Sequence, residues 1–503
     1  MSKQLYTYNN NEPVSGTKES NTQNSLDVAN KGTPASRSAF GDHLTESVEP
    51  IIQISAQYGL LSSVETFNAT GGTVGTETNM FKCTTGTNVG GYGVIRTKRP
   101  TIYREGQGLM TRFTALFDSD NAVANSLQFA GLFNVQDTVA FGYRGTDFGI
   151  LFDTYGAQEI RQLEITGSGN GTLDLTLNSV TYNVPITTGT AAHNAYQIET
   201  WMNANQSIWD AEQIGGKVLF RNKNAATASG TYSIGGASGL TGNITQIAVG
   251  TAKAESTILE ADWNGEKVTF DKSKGNVFMI KISYLGYGPI SFFILCPESG
   301  LFRRVHTIKY QNNYTQPSIS NRALKVGWTA ASLGSTTDIT VKGASAGTFI
   351  EGKSMLNAES HASINSNTSV STSFEAVLTI KALESFGGKA MLGRINLTGI
   401  EVSTDSTKEV VFKICKNATL GETNFNYHEE GDSIALVDII DHADSSNAHA
   451  IYAGQVGAGG SVSRNLKPFG IDLLANETLT VYAKVVSGSA SDVTVTLIWK
   501  EDI

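Results

Sequence analysis

Charged residues are scarce in this sequence, and its composition is not that of a helix-rich protein. Of the 503 residues only 17% are charged, whereas 40% are hydrophobic and 52 are glycine. Helix-rich proteins usually contain more Lys, Glu and Ala, while Gly, Thr, Ser and Asn are typical of short strands joined by tight turns. The apolar share is enough for true cores, so we predict an all-β chain of several domains.

Basic residues are fewer than acidic ones. The chain has 37 Lys and Arg against 46 Asp and Glu, a formal net charge of -9. General nucleic-acid binding needs a basic surface that displaces counterions, so we expect no nucleic-acid partner. No apolar run reaches the roughly 18 residues of a membrane span. The polar residues at the start lack the apolar core of a secretory signal, and we expect none.

Cysteine and catalytic motifs are likewise sparse. The three cysteines, Cys83, Cys296 and Cys415, lie far apart at no metal-ligand spacing, and we expect all three to be small buried hydrophobes. The sequence has no Gly-x-Ser-x-Gly elbow, Walker loop, His-Glu-x-x-His motif or EF-hand loop. We therefore predict no catalytic residue and no cofactor.

Paired carboxylates are the main alternative to a non-enzymatic role, since many β-sandwich enzymes cleave sugars with two of them. Glu105 and Asp118 flank one predicted strand, but no Glu-x-Asp-x-Glu run follows. Glu159 and Glu164 are separated by an odd number of positions, so one strand would point them to opposite faces. Polysaccharide hydrolysis stays open as the third functional hypothesis.

A cation site is the second chemical alternative. Asp441, His442 and Asp444 could chelate a cation, and His428 lies nearby in sequence, followed by Glu429 and Glu430. Spacing alone shows neither convergence of ligands nor the hydrogen bonds that support a metal site. We favour a solvated loop and predict no metal ligand, and the question of a bound cation stays open.

Period-two hydrophobic patterns predict most of the strands. Leu109, Phe113 and Phe117 share one face of a first run, and the segments 278–284 and 290–294 form a later hairpin. The last strand has Val493, Val495, Leu497 and Trp499 on one face. We predict tandem jelly-roll-like β-sandwiches in these segments: an N-terminal arm, 1–38; a discontinuous first sandwich, 39–162 and 257–352; an inserted α+β domain, 163–256; and a C-terminal sandwich, 353–503.

One helix stands out, from Ala191 to Ala211, inside the inserted segment. One face, which is largely apolar, follows a spacing of three and four residues and consists of Ile198, Trp201, Met202, Asn205 and Ile208. An insertion of this kind costs a sandwich little, because loop-closure entropy grows slowly with loop length.

Two groups of aromatic and branched residues are candidate contact sites. Tyr284, Tyr287 and Tyr310 could form a platform for sugars, although sandwich cores and rims also use tyrosine. The arm has too few apolar residues to fold alone, and those that could order it against a partner are Leu5, Tyr6, Tyr8, Leu26 and Val28.

Several ordered motifs resemble a family of virion structural proteins, the fibre-type and spike-type proteins of aquatic tailed phages and large DNA viruses. The resemblance covers residues 39–503, and its motifs lie at 103–108, 112–117, 141–151, 274–277, 284–288, 305–310, 417–420 and 497–502. The pattern of strands and turns in the first sandwich also resembles that of concanavalin-like jelly rolls, in which one concave sheet often binds glycans. These motifs are strand and turn residues, so they imply a lineage and carry no catalytic residue.

The resemblance implies a non-enzymatic protein on the virion surface, a spike, fibre or vertex protein that contributes to host attachment. It implies a homo-oligomer, with a trimer favoured over a pentamer, and neighbouring capsid or vertex subunits as partners of the arm. A host surface glycan is a further expected partner. A soluble, glycan-binding, lectin-like protein is the alternative.

Overall fold

The computed structural model describes residues 48–101, 103–104, 106–226, 229–352, 358–404, 407–440 and 450–502. The predicted arm with its five contact residues, Glu105 and the acidic segment 441–444 lie outside the described residues. Within the described part, 36 strands accompany a single α-helix, and the ladders between named strands are all antiparallel. The predicted class, all-β with jelly-roll-like sandwiches and a small α+β insertion, is confirmed. No helix in these ranges is long and apolar enough to cross a membrane.

The first part of the chain supplies nine strands. They are β1 (Val48–Ser55), β2 (Val64–Ala69), β3 (Thr73–Glu77), β4 (Met80–Thr84), β5 (Tyr92–Thr97), β6 (Leu109–Ala115), β7 (Ser126–Phe133), β8 (Thr138–Arg144) and β9 (Asp147–Asp153). After the inserted segment come seven more, β17 (Thr257–Leu259), β18 (Asn276–Ile282), β19 (Ile290–Leu295), β20 (Phe302–Ile308), β21 (Lys325–Ser332), β22 (Thr340–Gly343) and β23 (Ser345–Glu351). Two short 3-10 turns, Ala56–Tyr58 and Glu260–Asp262, connect strands.

These strands form the first sandwich. One sheet has six strands in the order β1-β23-β6-β18-β19-β20, and the facing sheet has seven in the order β17-β9-β8-β7-β21-β5-β2. A three-stranded sheet, β22-β4-β3, extends one end. The core between the large sheets is aromatic: Phe141 of β8 contacts Phe278 and Phe292 of the opposite sheet at centroid distances of 4.7 and 5.5 Å. Both segments of the chain therefore share one core.

The inserted segment forms a smaller α+β unit. Its elements are β10 (Gln158–Ile165), β11 (Gly171–Leu177), β12 (Val180–Ile186), α1 (Ala191–Asn205), β13 (Trp209–Ile214), β14 (Lys217–Ala225), β15 (Ser233–Gly235) and β16 (Gly242–Ala248). They pair as β13-β14-β10-β16 and β12-β11-β15. The helix begins after Thr190, whose hydroxyl accepts a hydrogen bond from the His193 amide, and such a cap stabilises a helix start.

The helix is shorter than predicted. It ends at Asn205, because the chain extends at Gln206 to enter β13, so Ile208 lies outside it and is 48% exposed. Ile198 and Met202 are fully buried as the spacing indicates, whereas Trp201 is only partly buried. The central aromatic of this core is instead Trp209, the first residue of β13, which packs edge-on against Tyr232.

The last part of the chain forms the C-terminal sandwich. Its strands are β24 (Ser360–Val370), β25 (Glu375–Ala382), β26 (Ser385–Phe386), β27 (Lys389–Ala390), β28 (Arg394–Ser403), β29 (Val410–Lys416), β30 (Asn426–Tyr427), β31 (Ala435–Asp438), β32 (Ala450–Val456), β33 (Ser461–Asn465), β34 (Asp472–Leu474), β35 (Thr478–Val485) and β36 (Ser491–Asp502), with a 3-10 turn at Lys467–Phe469.

Two sheets and one hairpin result. They are β24-β36-β28-β33, with β34 also paired to β28, then β30-β31-β25-β35-β29-β32, and the hairpin β26-β27. The four apolar residues predicted on one face of the last strand are all fully buried in the core between the two sheets. The residue boundaries proposed above for the domains stay predictions.

Buried charges join the inserted unit to the C-terminal sandwich. Lys381 of β25 lies 3.3 Å from a Glu199 oxygen and 3.6 Å from a Glu212 oxygen. Burial alone would lower the pKa of Lys381, but Glu212 and Glu199 outweigh it and raise the pKa. Arg221 of β14 pairs with Glu384 at 2.9 Å, so ion pairs link these two parts of the chain.

We predict that Trp209→Ala destabilises the inserted unit by about 3–5 kcal/mol, the usual cost of removing a fully buried aromatic side chain. Chemical unfolding followed by limited proteolysis checks this, with the cleavage sites expected in 158–248 first. Trp201→Ala is the control, because its partly buried ring should cost clearly less. Equal losses for the two variants would contradict the assignment of Trp209 as the central residue.

We also predict that the junction around Glu384 weakens as the pH rises. Burial, followed by the neighbouring Glu212, raises the pKa of Glu384 from 4.5 to about 7, although Arg221 and Lys381 lower it in part. Because the folded-state pKa lies above the unfolded one, the stabilisation is complete below pH 4.5 and is lost as the pH rises through about 7.

Unfolding midpoints of wild type and Glu384→Gln, measured across that range, test this. The variant keeps an oxygen that can accept from Arg221, and its midpoint should change less with pH than that of the wild type. Glu298→Gln, at an exposed carboxyl, should follow the wild type. Parallel curves for wild type and Glu384→Gln would refute the assignment.

Candidate functional site

The turn between β18 and β19 determines where two of the predicted tyrosines lie. Its backbone is left-handed at Leu285 (φ 38°) and Gly286 (φ 83°), and the Gly288 amide donates to the Tyr284 carbonyl at 2.6 Å. A Cβ on Gly288 would lie 1.4 Å from the Ser283 carbonyl oxygen, so this position requires glycine. The tight turn directs Tyr284 towards the protein and leaves Tyr287 38% exposed.

Tyr284 is a structural residue of this turn. Its hydroxyl donates to the Ile319 carbonyl at 2.7 Å, and its ring meets Tyr103 edge-on at 5.3 Å. Burial raises the pKa of Tyr284 to about 12. With its hydroxyl engaged and its ring packed, Tyr284 supports the turn rather than forming the exposed platform.

Three tyrosines form a connected surface that we call the tyrosine face: Tyr287, Tyr310 and Tyr314. The Tyr310 ring stacks on Tyr314 at 4.2 Å, with 15° between the planes, and lies 6.3 Å from Tyr287. Tyr310 is only 3% exposed, whereas Tyr314 is 58% exposed. The structure brings Tyr287 and Tyr310 together, and their role as a sugar platform stays a prediction. The sequence analysis did not name Tyr314, whose ring is the most exposed of the three.

Hydrogen bonds keep the tyrosine face rigid. The Tyr287 hydroxyl donates to the Thr315 carbonyl at 3.1 Å, and the Tyr310 hydroxyl is bonded to the Tyr155 hydroxyl. Burial, followed by the bond to Tyr155, raises the pKa of Tyr310, so this phenol stays neutral. The Tyr310 ring, on which the exposed Tyr314 stacks, and the Tyr287 ring beside Tyr310 are therefore held in place before any ligand arrives.

A buried carboxylate holds the loop 317–323, which follows the tyrosine face in sequence. Asp137, in the turn before β8, accepts from the amides of Ser320 and Asn321 at 2.9 and 2.8 Å. Its pKa is raised by burial, which outweighs these two bonds. Asn134 donates to the carbonyls of Asn321 and Ala323, so the loop is bonded along its length.

An open cleft of about 430 Å³ lies between this loop and the β26-β27 hairpin. Its walls include Tyr284, Asn321, Arg322 and Lys389, together with the apolar Met391 and Phe386. Lys389 donates to the Ser320 carbonyl at 3.3 Å, which ties the hairpin to the loop. The cleft therefore combines apolar walls with guanidinium and ammonium groups, next to the turn that carries Tyr287.

The carboxylates considered for hydrolysis have structural partners. Asp118 accepts from Asn121 at 3.0 Å and from the Thr340 amide at 3.1 Å. Glu159 is fully buried and accepts from Gln246 and the Gly250 amide, whereas Glu164 is exposed on the opposite face of β10, as the odd spacing indicates. None of these three faces another in a common cleft.

A histidine cluster lies in the C-terminal sandwich. One ligand atom each of His361, His428 and Glu429 comes within 4.8 Å of the others. Sequence reasoning named His428 and Glu429 together with Glu430, but Glu430 instead lies 3.9 Å from Lys217. It missed His361, because that residue comes from β24, far earlier in the chain, and only the packing of the two sheets brings it close.

The cysteines partly follow the prediction. Cys83 and Cys415 are buried, but Cys296 is only partly buried. It lies just beyond the end of β19, where the chain turns and the Gly300 amide donates to the Cys296 carbonyl. The expectation that all three are buried was therefore wrong for Cys296.

No family model matches the sequence, and no curated protein matches it. Among solved structures, this chain is similar to a Bauhinia forficata lectin in complex with GalNAc (10% identity; 60% of this chain and 98% of that chain; TM-score 0.24). It is also similar to lectin II from Ulex europaeus (10% identity; 60% and 100%; TM-score 0.23). A third similarity is to "The Triple Jelly Roll Fold and Turret Assembly in an Archaeal Virus" (8% identity; 92% and 98%; TM-score 0.18).

Proposed function

We propose that this protein is a non-enzymatic recognition protein that binds glycans at the tyrosine face. The observation that carries the proposal is the exposed Tyr314 ring, which stacks on the buried Tyr310 beside the half-exposed Tyr287. Sugars have apolar C–H faces that stack on such rings, and hydroxyls that need polar partners. An accessible aromatic ring with a fixed position offers the first of these two contacts.

The rigidity of the tyrosine face supports the proposal. A ligand that binds a mobile side chain must also order it, at a cost of about 0.5–1.5 kcal/mol per side chain. Here Tyr287 and Tyr310 are bonded through their hydroxyls, and Tyr314 is stacked on Tyr310. Little further ordering is required, which favours binding of a weakly interacting ligand such as a sugar.

The adjoining cleft offers the polar contacts. Asn321 is fixed by bonds to Gln136 and to the Ala390 carbonyl, and Lys389 lies on the opposite wall. Ligand sites typically combine apolar walls with a small number of oriented polar groups. A glycan of more than one residue could stack on Tyr314 or Tyr287 and extend towards these groups.

We predict that Tyr314→Ala weakens glycan binding at least tenfold, because it removes the most accessible ring of the face. A glycan array should identify the ligand, and titration calorimetry with that glycan should measure the loss. Tyr287→Ala should give a smaller loss, since less of its ring is exposed. Tyr58→Ala is the matched control: Tyr58 is 77% exposed and belongs to neither the face nor the cleft.

If Tyr314→Ala binds a glycan as tightly as the wild type does, the tyrosine face is excluded as the binding surface. Failure of the wild type to bind any glycan would contradict the function itself. Release of reducing ends from a bound polysaccharide would instead favour the hydrolytic alternative.

The setting we propose for this recognition is the surface of a virion, where the protein acts as a spike, fibre or vertex protein. Support comes from the resemblance of residues 39–503 to virion structural proteins. The arm of residues 1–38 would then attach the protein to a capsid or vertex neighbour through Leu5, Tyr6, Tyr8, Leu26 and Val28, while the sandwiches project outward. A homotrimer is the favoured assembly.

We predict that the protein co-purifies with intact particles and that deletion of residues 1–38 prevents incorporation. The truncated protein should keep its oligomeric state, measured by light scattering, and its glycan binding. Incorporation of the truncated protein at normal occupancy would refute the anchor. A stable monomer at micromolar concentration would refute the trimer, and absence from particles would favour a soluble lectin.

A further inference from the structure

His361, His428 and Glu429 form a cluster in the C-terminal sandwich that plays no part in the proposed glycan site. His361 lies on β24, at one edge of its sheet, and the other two residues lie between β30 and β31 of the facing sheet. The cluster therefore brings together an edge strand of one sheet and a loop of the other. All three side chains are at least partly accessible to solvent.

A single buried ring orients both histidines. His361 is the cross-strand partner of Trp499 and stacks on it at 6.0 Å with 19° between the planes, while His428 packs against the same indole at 4.8 Å. Trp499 is itself fixed, because its Nε1–H donates to Glu501 at 2.9 Å within the core. The two imidazoles thus converge without depending on hydrogen bonds to each other.

The donor atoms remain available for a ligand. Within the described residues, the ring nitrogens of neither histidine form a hydrogen bond, and the closest charged contact is that of His361 Nδ1 with Glu429 Oε2 at 3.9 Å. The Glu429 side chain is 61% exposed and is therefore free to rotate towards the two rings. A carboxylate with this freedom can close on an ion placed between the imidazoles.

We propose that His361, His428 and Glu429 bind a divalent transition-metal ion, with Zn²⁺ as the best match. Two imidazoles and one carboxylate are a typical donor set for Zn²⁺, whereas Ca²⁺ and Mg²⁺ take oxygen ligands. Bond lengths of about 2.0–2.2 Å require ligand atoms roughly 3.4 Å apart. The ligand atoms already lie within 4.8 Å of one another, so small rotations of these partly accessible side chains bring them to that value.

The bound ion would join the edge strand β24 to the loop before β31. Three protein ligands leave a fourth position for water or for a group from a bound partner, as in other three-ligand zinc sites. Because the folded chain brings the ligands together and the unfolded chain does not, binding must stabilise the fold. The ion would thus hold the edge of the C-terminal sandwich together.

Calorimetric titration of the full chain, free of any affinity tag, with ZnCl₂ tests the proposal. We expect one saturable site at micromolar zinc, together with a higher melting temperature that EDTA reverses. His361→Phe and His428→Phe keep a ring against Trp499 but remove the nitrogen donors, so each should weaken binding at least a hundredfold. Glu429→Gln should weaken it about tenfold.

Two control variants should bind zinc as the wild type does. Glu430→Gln alters the adjacent carboxylate that contacts Lys217, and His193→Gln alters a histidine in α1 that is paired with Glu422. The metal-free melting temperature of each variant shows whether it is folded. Because Glu429 is exposed, Glu429→Gln gives a result even if the histidine variants fail to fold.

The absence of a one-to-one site in the wild type would overturn the proposal, as would unchanged affinity in Glu429→Gln and in any folded histidine variant. Equal weakening by Glu430→Gln would also overturn it. Glycan binding does not enter these measurements, so this proposal and the proposed function succeed or fail separately.

Discussion

The packing of two antiparallel sheets across an aromatic core is the interaction on which the rest of the first sandwich depends. Phe141 of β8 contacts Phe278 and Phe292 from β18 and β19, which follow the inserted segment. This contact joins the two chain segments and determines where the β18-β19 turn leaves the sheet. Because that turn carries Tyr284 and Tyr287, the position of the tyrosine face follows from the core beneath it. A site built at the end of rigid strands is held more precisely than one on a free loop.

Buried polar groups fix the loop that forms one wall of the cleft. A carboxylate such as Asp137 is costly to bury, and hydrogen bonds to its charged form offset part of that cost. Its partners are the amides of Ser320 and Asn321, so the same contact fixes the loop that forms one wall of the cleft. At the other wall, Lys389 reaches the Ser320 carbonyl from the C-terminal sandwich. The cleft thus depends on polar contacts that a purely apolar core would not supply.

Period-two alternation predicted the fold well where one face of a strand is buried. Residues 111–117 and 493–499 alternate between buried and partly buried positions as expected, because side-chain direction reverses at every residue of a strand. Residues 278–282 are buried at every position, because both faces of β18 are covered. The end of α1 was mispredicted, because Ile208 continues the helical spacing although the chain has already extended towards β13. Tyr314 and His361 were missed for another reason. Each acquires its role from residues that only tertiary pairing brings near, and spacing along the chain carries no signal of that.

Ion pairs between the two sandwiches show which forces hold the parts together. Lys98 pairs with Glu477, Arg99 with Asp472 and Arg104 with Asp502, and the cations are partly exposed while the carboxylates are buried. Because each carboxylate is buried, its attraction to the cation must first offset the cost of removing that carboxylate from water, so these contacts orient the sandwiches more than they stabilise them. An apolar contact lies between the inserted unit and β31, where Leu219 and Leu436 share a small core. The inserted unit therefore also packs against the C-terminal sandwich, whose β26-β27 hairpin forms one wall of the cleft.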